Sequence, residues 1–353
     1  MVNRRERVIR CLGAVVLGSA IFVVGPGMGA AQETDSSIRV TVDLVQLNVA
    51  VTDAKGNYVT GLGPENFLIT EDGIKQNIAT FGEGNEPVRQ LIESGAAASK
   101  PGSTALADAR QAIALSSPAS SNVFVLFDTS NYMYKGFVFA QDAISDFIRS
   151  LQGADKVAFY SYSRDLSRSV RLTEDRFKVL HGVRSSVAGD DAALYNCLLL
   201  TVQDAAQYTG RKVIVVFSNG PDNSSMVPPE DVAELAQSTG TAIYMISTRQ
   251  AELEPVSTKV FERMTADTGG KAYFAKTWKD EELAFASIRD DLAHLYSISY
   301  YPRRNPNGGW RVIDVKLTGE QFKKDHIRTR NGYRLQPTRT SATAVSGSGP
   351  GVQ

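Results

Sequence analysis

Hydrophobic positions recur with two different periods along this chain, and the changes of period divide it into parts. Residues 38–52, IRVTVDLVQLNVAVT, put Val40, Val42 and Leu44, then Val45, Leu47, Val49 and Val51, on alternate positions. Alternation of period two predicts a strand, and the slip of phase between Leu44 and Val45 predicts a bulge or bend in it. Asp53-Ala54-Lys55-Gly56-Asn57 follows as a turn, with Gly56 where a positive φ is wanted. Two shorter strands are predicted over 66–70 and 78–81, separated by the turn Glu71-Asp72-Gly73. Strands at this spacing predict a small sandwich. They are fewer than a full sandwich needs, so it should borrow strands from elsewhere in the chain.

Residues 87–120 break the pattern. They are rich in Ala, Ser, Gly and Pro, poor in large apolar residues, and read as a linker. From residue 122 the period changes again. VFVLFD (123–128) is an unbroken apolar run ending in Asp128, as a parallel strand buried on both faces requires. Over 137–151, Phe139, Ala143, Ile144, Phe147, Ile148 and Leu151 fall at helical spacing. Further strands are predicted over 157–162, 212–217, 242–247 and 272–274, and helices over 176–183, 194–208, 230–237, 256–268 and 283–294. This alternation predicts an α/β fold over 121–294, a Rossmann-like, doubly wound parallel sheet. Such sheets bind ligands beyond the carboxyl ends of their strands, which singles out 128–134, 189–195 and 218–225. Strand-like segments return at 296–301, 311–317 and 326–330. The segment 295–335 is therefore expected to complete the β-sandwich begun by the module at 32–86. Residues 336–353, polar and rich in Ser, Thr and Gly, read as a disordered tail.

Residues 1–31 are of another kind. Arg4, Arg5, Arg7 and Arg10 precede an apolar run from Cys11 to Val24. Gly25-Pro26-Gly27 and the small residues Gly29-Ala30-Ala31 follow. This is the layout of a secretory signal peptide, with cleavage expected after Ala31. The run is shorter than the roughly 18 residues that a spanning helix needs. The processed chain is expected to be secreted or periplasmic, without membrane insertion.

Composition changes this picture little. Of 353 residues, 42% are apolar and 22% charged, which excludes collagen-like, coiled-coil and wholly disordered chains. The length suggests two domains at roughly 150 residues each. Basic and acidic residues number 38 each, and removal of 1–31 leaves a slight acidic excess. A nucleic-acid-binding surface usually carries a basic excess, so no nucleic acid partner is expected. Removal of Cys11 leaves Cys197 as the one thiol and excludes an internal disulfide. His181, His294 and His326 stand far apart, which argues against a histidine-rich zinc site.

Three segments together carry a resemblance. VFVLFDTSNYM, DDAALYNCLLL and VIVVFSNGPDNSS are similar to the three site loops of a von Willebrand factor type A domain. In front of them, VTDAKGNYVTGLGPENFLITEDGIKQNIATF resembles the leading β module of the VWFA-related variety, found in exported bacterial proteins and abundant in Acidobacteria. Behind them, AFASIRDDLAHLYSISYYP and IRTRNGYR resemble its closing segment. The resemblance covers nearly all of the chain after residue 31. It implies a metal-ion-dependent adhesion site, with Asp-x-Ser-x-Ser on the first loop, Thr on the second and Asp before Gly on the third. Magnesium takes about six oxygen ligands, several of them waters. Against that pattern Asp128 and Ser130 match, while Tyr132 stands for the second Ser, Ala192 for the Thr and Asn219 for the Asp. One hydroxyl is lost, one displaced and one carboxylate neutralised. The expectation is a degenerate site whose metal ligands are reduced to Asp128 and Ser130, with no cofactor and at most weak Mg²⁺ or Ca²⁺ binding. Asp190, Asp191 and Asp222 lie close by in sequence, either to rebuild a site or to cap helices and turns. Tyr132, Met133 and Tyr134 suit contact with a partner surface, or packing under the loop.

Enzyme motifs are missing. The turn DTSNYMYKG has no Gly-x-Gly-x-x-Gly, and the chain has neither a Gly-x-x-x-x-Gly-Lys-Ser/Thr nor a Gly-x-Ser-x-Gly. The expected function is binding of an unidentified protein partner at the bacterial envelope or outside it, without catalysis. The loops that would do this carry Asp128, Ser130, Tyr132, Tyr134, Asp191, Asn219 and Asp222. Two alternatives remain at this stage. One is an envelope metal-dependent hydrolase, or enzyme subunit, using Asp128 and Asp191. The other is a structural module of an envelope assembly.

Overall fold

The computed structural model describes residues 44–91, 121–151, 155–248 and 255–335. The signal peptide expected over 1–31, the stretch 38–43, residues 92–120 of the linker and the tail 336–353 lie outside the described residues.

Five strands come first: β1 (Val45–Thr52), β2 (Phe67–Glu71), β3 (Ile74–Lys75), β4 (Ile78–Glu83) and β5 (Arg89–Gln90). Leu44 is exposed and lies just before the first described residue of β1, and the stretch before it, on which the expected bulge depends, lies outside the described residues. Strand β5 pairs with β4, inside the stretch read as linker. Its two residues are exposed and polar and give no hydrophobic signal.

The middle of the chain alternates strand and helix. Its elements are β6 (Ser121–Asp128), α1 (Phe137–Ser150), β7 (Lys156–Tyr162), β8 (Leu166–Thr173), α2 (Arg176–Arg184), α3 (Leu194–Ala205) and β9 (Arg211–Ser218). There follow α4 (Pro229–Thr239), β10 (Thr241–Ser247), α5 (Pro255–Thr268), β11 (Ala272–Phe274) and α6 (Trp278–His294). The strands form one sheet in the order β11-β10-β9-β6-β7-β8. Strands β6, β7, β9, β10 and β11 run parallel. All eight residues of β6 are buried, because helices cover both faces. Val123, Val125 and Phe127 meet α1 and α6 on one face, whereas Phe124 and Leu126 meet α3 and α4 on the other.

The sheet is not parallel throughout. Strand β8, which the sequence pattern did not announce, pairs antiparallel with β7 at the edge. Only Val170 of its eight residues is buried; Leu166 and Leu172 are half-buried, and the five other positions are polar or charged, so no apolar run marks the strand. Charges on an edge strand keep it from pairing with another chain. Helix α6 also starts earlier than its hydrophobic spacing suggests. Thr277 and Asp280 form a capping box there, each side chain accepting from the other's backbone N–H, at 3.3 and 2.9 Å.

The chain ends in β12 (Tyr296–Tyr300), β13 (Trp310–Leu317), β14 (His326–Arg328) and β15 (Gly332–Arg334). These complete the sandwich. One sheet has the order β14-β1-β12-β4-β5 and the other β15-β13-β2-β3. Strand β12 is antiparallel to both β1 and β4, and β13 is antiparallel to β2. Leu47, Val49, Phe67, Ile69, Phe81, Ile298 and Ile313 fill the space between the sheets. Glu71 is fully buried in this core, where it accepts from Arg311 at 2.8 Å and from the hydroxyls of Tyr300 at 2.9 Å and Tyr333 at 3.0 Å. The second face of β1 is covered as well. Ala50 belongs to the core of the α/β body, which is why the burial of β1 does not alternate.

Buried polar groups join the sandwich to the α/β body. Asp291, near the end of α6, accepts from Tyr58 at 2.7 Å, from Tyr244 of β10 at 2.6 Å, and from Arg328 of β14 through both its oxygens. Arg211, the first residue of β9, donates to the carbonyls of Leu292 at 2.7 Å and Gly84 at 2.6 Å. Gly84 has φ +55° and lies so near α6 that a Cβ there would come within 2.3 Å of the Ala293 carbonyl.

Asp291→Ala would leave two hydroxyls and a guanidinium without their shared acceptor. Breaking such a buried pair costs about 3–5 kcal/mol. Arg149→Ala removes a pair with Asp146 that is exposed on both sides, worth less than about 1 kcal/mol. Urea unfolding of the two variants should separate them by that margin, and equal losses would contradict the joining role of Asp291.

Candidate functional site

The candidate site lies beyond the carboxyl ends of the parallel strands. It is made of a first loop after β6, a second between α2 and α3, and a third after β9. Strand register places Asp128, Tyr162 and Ser218 at one level: Asp128 is opposite Tyr162, and the residues just before Asp128 and Ser218, Phe127 and Phe217, are opposite each other.

Asp128 is fully buried. Its Oδ1 accepts from the backbone N–H of Ser130 at 2.9 Å, and its Oδ2 accepts from the Ser218 hydroxyl at 2.9 Å. The Ser218 oxygen in turn accepts from the Tyr162 hydroxyl at 2.9 Å and from the Gly220 N–H at 3.1 Å. That last bond is made in a turn with φ +104° at Gly220, a conformation that a residue with a Cβ rarely adopts. Burial pushes the carboxyl of Asp128 above the ordinary range, and its hydrogen bonds oppose the shift without cancelling it. Ser130 is also fully buried, and its Oγ makes no hydrogen bond of good geometry.

Each of the other singled-out residues has a defined place. The Asn219 amide is buried. Its nitrogen donates to the backbone carbonyl of Tyr132, and its oxygen accepts from the Thr248 hydroxyl. Ala192 is buried and joined to the third loop on both sides. Its N–H donates to Asn223 Oδ1 at 2.9 Å, and its carbonyl accepts from the N–H groups of Asn223 and Ser224, each at 3.1 Å. Asp191 is half-buried and accepts from Asn223 Nδ2 at 3.4 Å. Asp222 is turned inward. One oxygen accepts from the Tyr195 N–H in the first turn of α3 at 3.0 Å, the other from the Ser225 N–H at 2.8 Å. Asp222 thus caps a helix and a turn, with both of its oxygens accepting backbone N–H groups. Backbone bonds link the first and second loops, from Gly189 to the Thr129 carbonyl at 2.7 Å and from Asn131 to the Asp190 carbonyl at 2.8 Å.

The apolar cluster of the first loop divides. Met133 is buried against the core, whereas Tyr132 and Tyr134 are exposed, Tyr134 to 63%. Phe139 at the start of α1, Val187 on the second loop and Met226 on the third are exposed as well, to 64%, 80% and 92%. Tyr162 and Thr248 escaped the sequence reading. Both lie at the carboxyl ends of predicted strands, so strand register was the signal that could have found them.

Residues 122–288 match the family model described as von Willebrand factor type A domain. This segment has that fold: a central, mainly parallel sheet between two layers of helices. Domains of this class generally mediate protein–protein interaction. Among solved structures, the chain is similar to the conserved hypothetical protein BatB from Bacteroides thetaiotaomicron, at 14% identity over 49% of this chain and 98% of that one, with a TM-score of 0.41. It is also similar to the vWF domain of the type V pili tip protein Mfa5 from Porphyromonas gingivalis, at 12% identity over 48% and 94%, with a TM-score of 0.43. A third similar structure is proximal thread matrix protein 1 from the mussel byssus, with a zinc-occupied MIDAS motif, at 14% identity over 49% and 48%, with a TM-score of 0.42. No curated protein matches the sequence.

The residues at the five ligand positions do not fit the oxygen shell of a divalent cation. Both oxygens of Asp128 are taken by hydrogen bonds, Ala192 has no side-chain oxygen, the Asn219 amide is engaged on both sides, and Tyr132 is exposed. The Ser130 hydroxyl alone is uncommitted. Among the described residues no cluster of three or more His, Cys, Asp or Glu could hold a metal ion.

The raised carboxyl of Asp128 gives a pH test. The folded state holds this proton more tightly than the unfolded chain, whose aspartates titrate near about 4. The resulting stabilisation is complete below that pH and is lost as pH rises through the folded value. Relative to Asp128→Asn, the wild-type protein should therefore lose stability between about pH 4 and about pH 7. Urea titrations of both proteins at the two pH values measure this. A difference that stays flat or grows in favour of the wild type would refute the buried, proton-retaining carboxyl.

Proposed function

We propose that this chain is an exported bacterial protein that recognises another protein through the loops at the carboxyl end of its von Willebrand factor type A sheet, without catalysis. The envelope or the space outside the cell is its place of action, as the basic and apolar start of the sequence suggests. One observation carries the reading: around the loops several large apolar side chains face out, beside the polar Asn131, Asp190 and Asn223, while Asp128 and Asn219 are buried. Asp128, Asn219 and Asp222 are committed to the loops themselves, while Tyr132, Tyr134, Phe139, Val187 and Met226 are exposed. Exposed aromatic and methionine side chains are the usual anchors of protein interfaces. A closed, hydrogen-bonded Asp128 favours binding over hydrolysis, since a general base must reach a substrate proton.

The test is capture of a partner from envelope extract by the wild-type protein, followed by measurement of its affinity for Tyr132→Ala and Tyr134→Ala. Anchor residues cost more than about 1.4 kcal/mol, so each variant should bind at least about tenfold more weakly at an unchanged melting temperature. Undiminished binding by both variants would refute this face as the recognition surface.

A further inference from the structure

The loops of the candidate site are joined pairwise by the chain's own groups. First and third meet through the Asp128–Ser218 bond and through the Asn219 amide on the Tyr132 carbonyl. Second and third meet through Asn223, whose side chain and backbone hold both polar groups of Ala192. First and second meet through the two backbone bonds of Gly189 and Asn131. A divalent cation at the same place would do similar work, drawing oxygens of separate loops onto one centre.

We infer that the side-chain amides of Asn219 and Asn223 form a clasp that cross-links the three loops in place of a cation, so that the exposed face is set without response to Mg²⁺ or Ca²⁺. The chemistry of Asn219 explains why an amide stands there. The Tyr132 carbonyl can only accept, so it needs a donor, and the Thr248 hydroxyl donates to the amide oxygen on the other side. A carboxylate at this position would set two acceptors face to face, and a bound cation would be needed to reconcile them. Asn223 adds a second tie, since its Nδ2 also reaches Asp191 at 3.4 Å and the Tyr132 hydroxyl at 3.5 Å. Asn219 and Asn223 thereby act as positioning residues for Tyr132: one holds its carbonyl, the other approaches its hydroxyl.

The clasp concerns the loops to which partner recognition is assigned above, but it can be tested with no partner present. Hydrogen exchange at the amides of Asn131, Met133 and Gly189 reports the loops; exchange in β6 and β9 reports the core. In the wild-type protein, excess Mg²⁺, Ca²⁺ or chelator should change none of these rates. Asn219→Ala should speed the loop amides at least about tenfold while the core rates hold, and Thr248→Val should shift them in the same direction by less. Thr248→Val carries the test if Asn219→Ala fails to fold. Asn219→Asp should exchange fast in chelator and slow down when Mg²⁺ is added, a response that loss of packing alone would not produce. Slower loop exchange in the wild type on adding a cation would overturn the clasp. So would wild-type loop rates in both Asn219→Ala and Thr248→Val, or an Asn219→Asp protein indifferent to Mg²⁺. Failure of the partner test with these results intact would leave the clasp standing, and the converse also holds.

Discussion

A carboxylate buried in low dielectric must be surrounded by donors, and Asp291 meets this demand with groups from three parts of the chain. Tyr58 comes from the loop after β1, Tyr244 from the central sheet and Arg328 from β14. The constraint works because none of these donors can be replaced locally: α6 has spent its own backbone N–H groups on its helix. Arg211 repeats the logic in reverse, a buried guanidinium surrounded by carbonyls of α6 and of the turn at Gly84. The sandwich and the α/β body are therefore fixed to each other by directional bonds as well as by apolar contact. Directional bonds specify one arrangement where apolar contact alone would tolerate several.

The order of the strands reinforces this. Strand β12 leaves α6 after a single residue, Leu295, and enters the sandwich between β1 and β4. The central strand of that sheet thus follows directly from the last helix of the α/β body. Glu71 and Arg311 come from the two ends of the described chain and meet inside the sandwich core. Long-range pairings of this kind are slow to form but hard to open singly.

At the far end of the α/β body the same accounting of polar groups has another result. Asp128 and Asp222 accept from backbone and hydroxyl donors of the loops themselves. What remains outside includes tyrosine, phenylalanine, valine and methionine on three separate segments, beside the polar Asn131, Asp190 and Asn223. Exposed apolar groups gathered in this way commonly mark places of contact with other proteins.

The sequence by itself determined the classes of element and most of their places. Apolar runs such as 123–128 are unambiguous because a strand covered on both faces has no polar position to spare, and helices α1 to α6 declare themselves by spacing. It failed at β8 and β5, edge strands rich in polar residues, where no continuous apolar run stands out. That Tyr132, Ala192 and Asn219 differ from the Ser, Thr and Asp which the resemblance implies was legible directly, since that depends only on which atoms a side chain possesses. Tertiary structure alone decided what those residues do instead. That Asn219 faces the Tyr132 carbonyl, that Tyr162 and Thr248 join the site, and that Met133 turns in while Tyr134 turns out all depend on groups far apart in sequence being brought together. A hydrogen bond has a partner only once the fold has placed one within reach, and no local pattern records that distance.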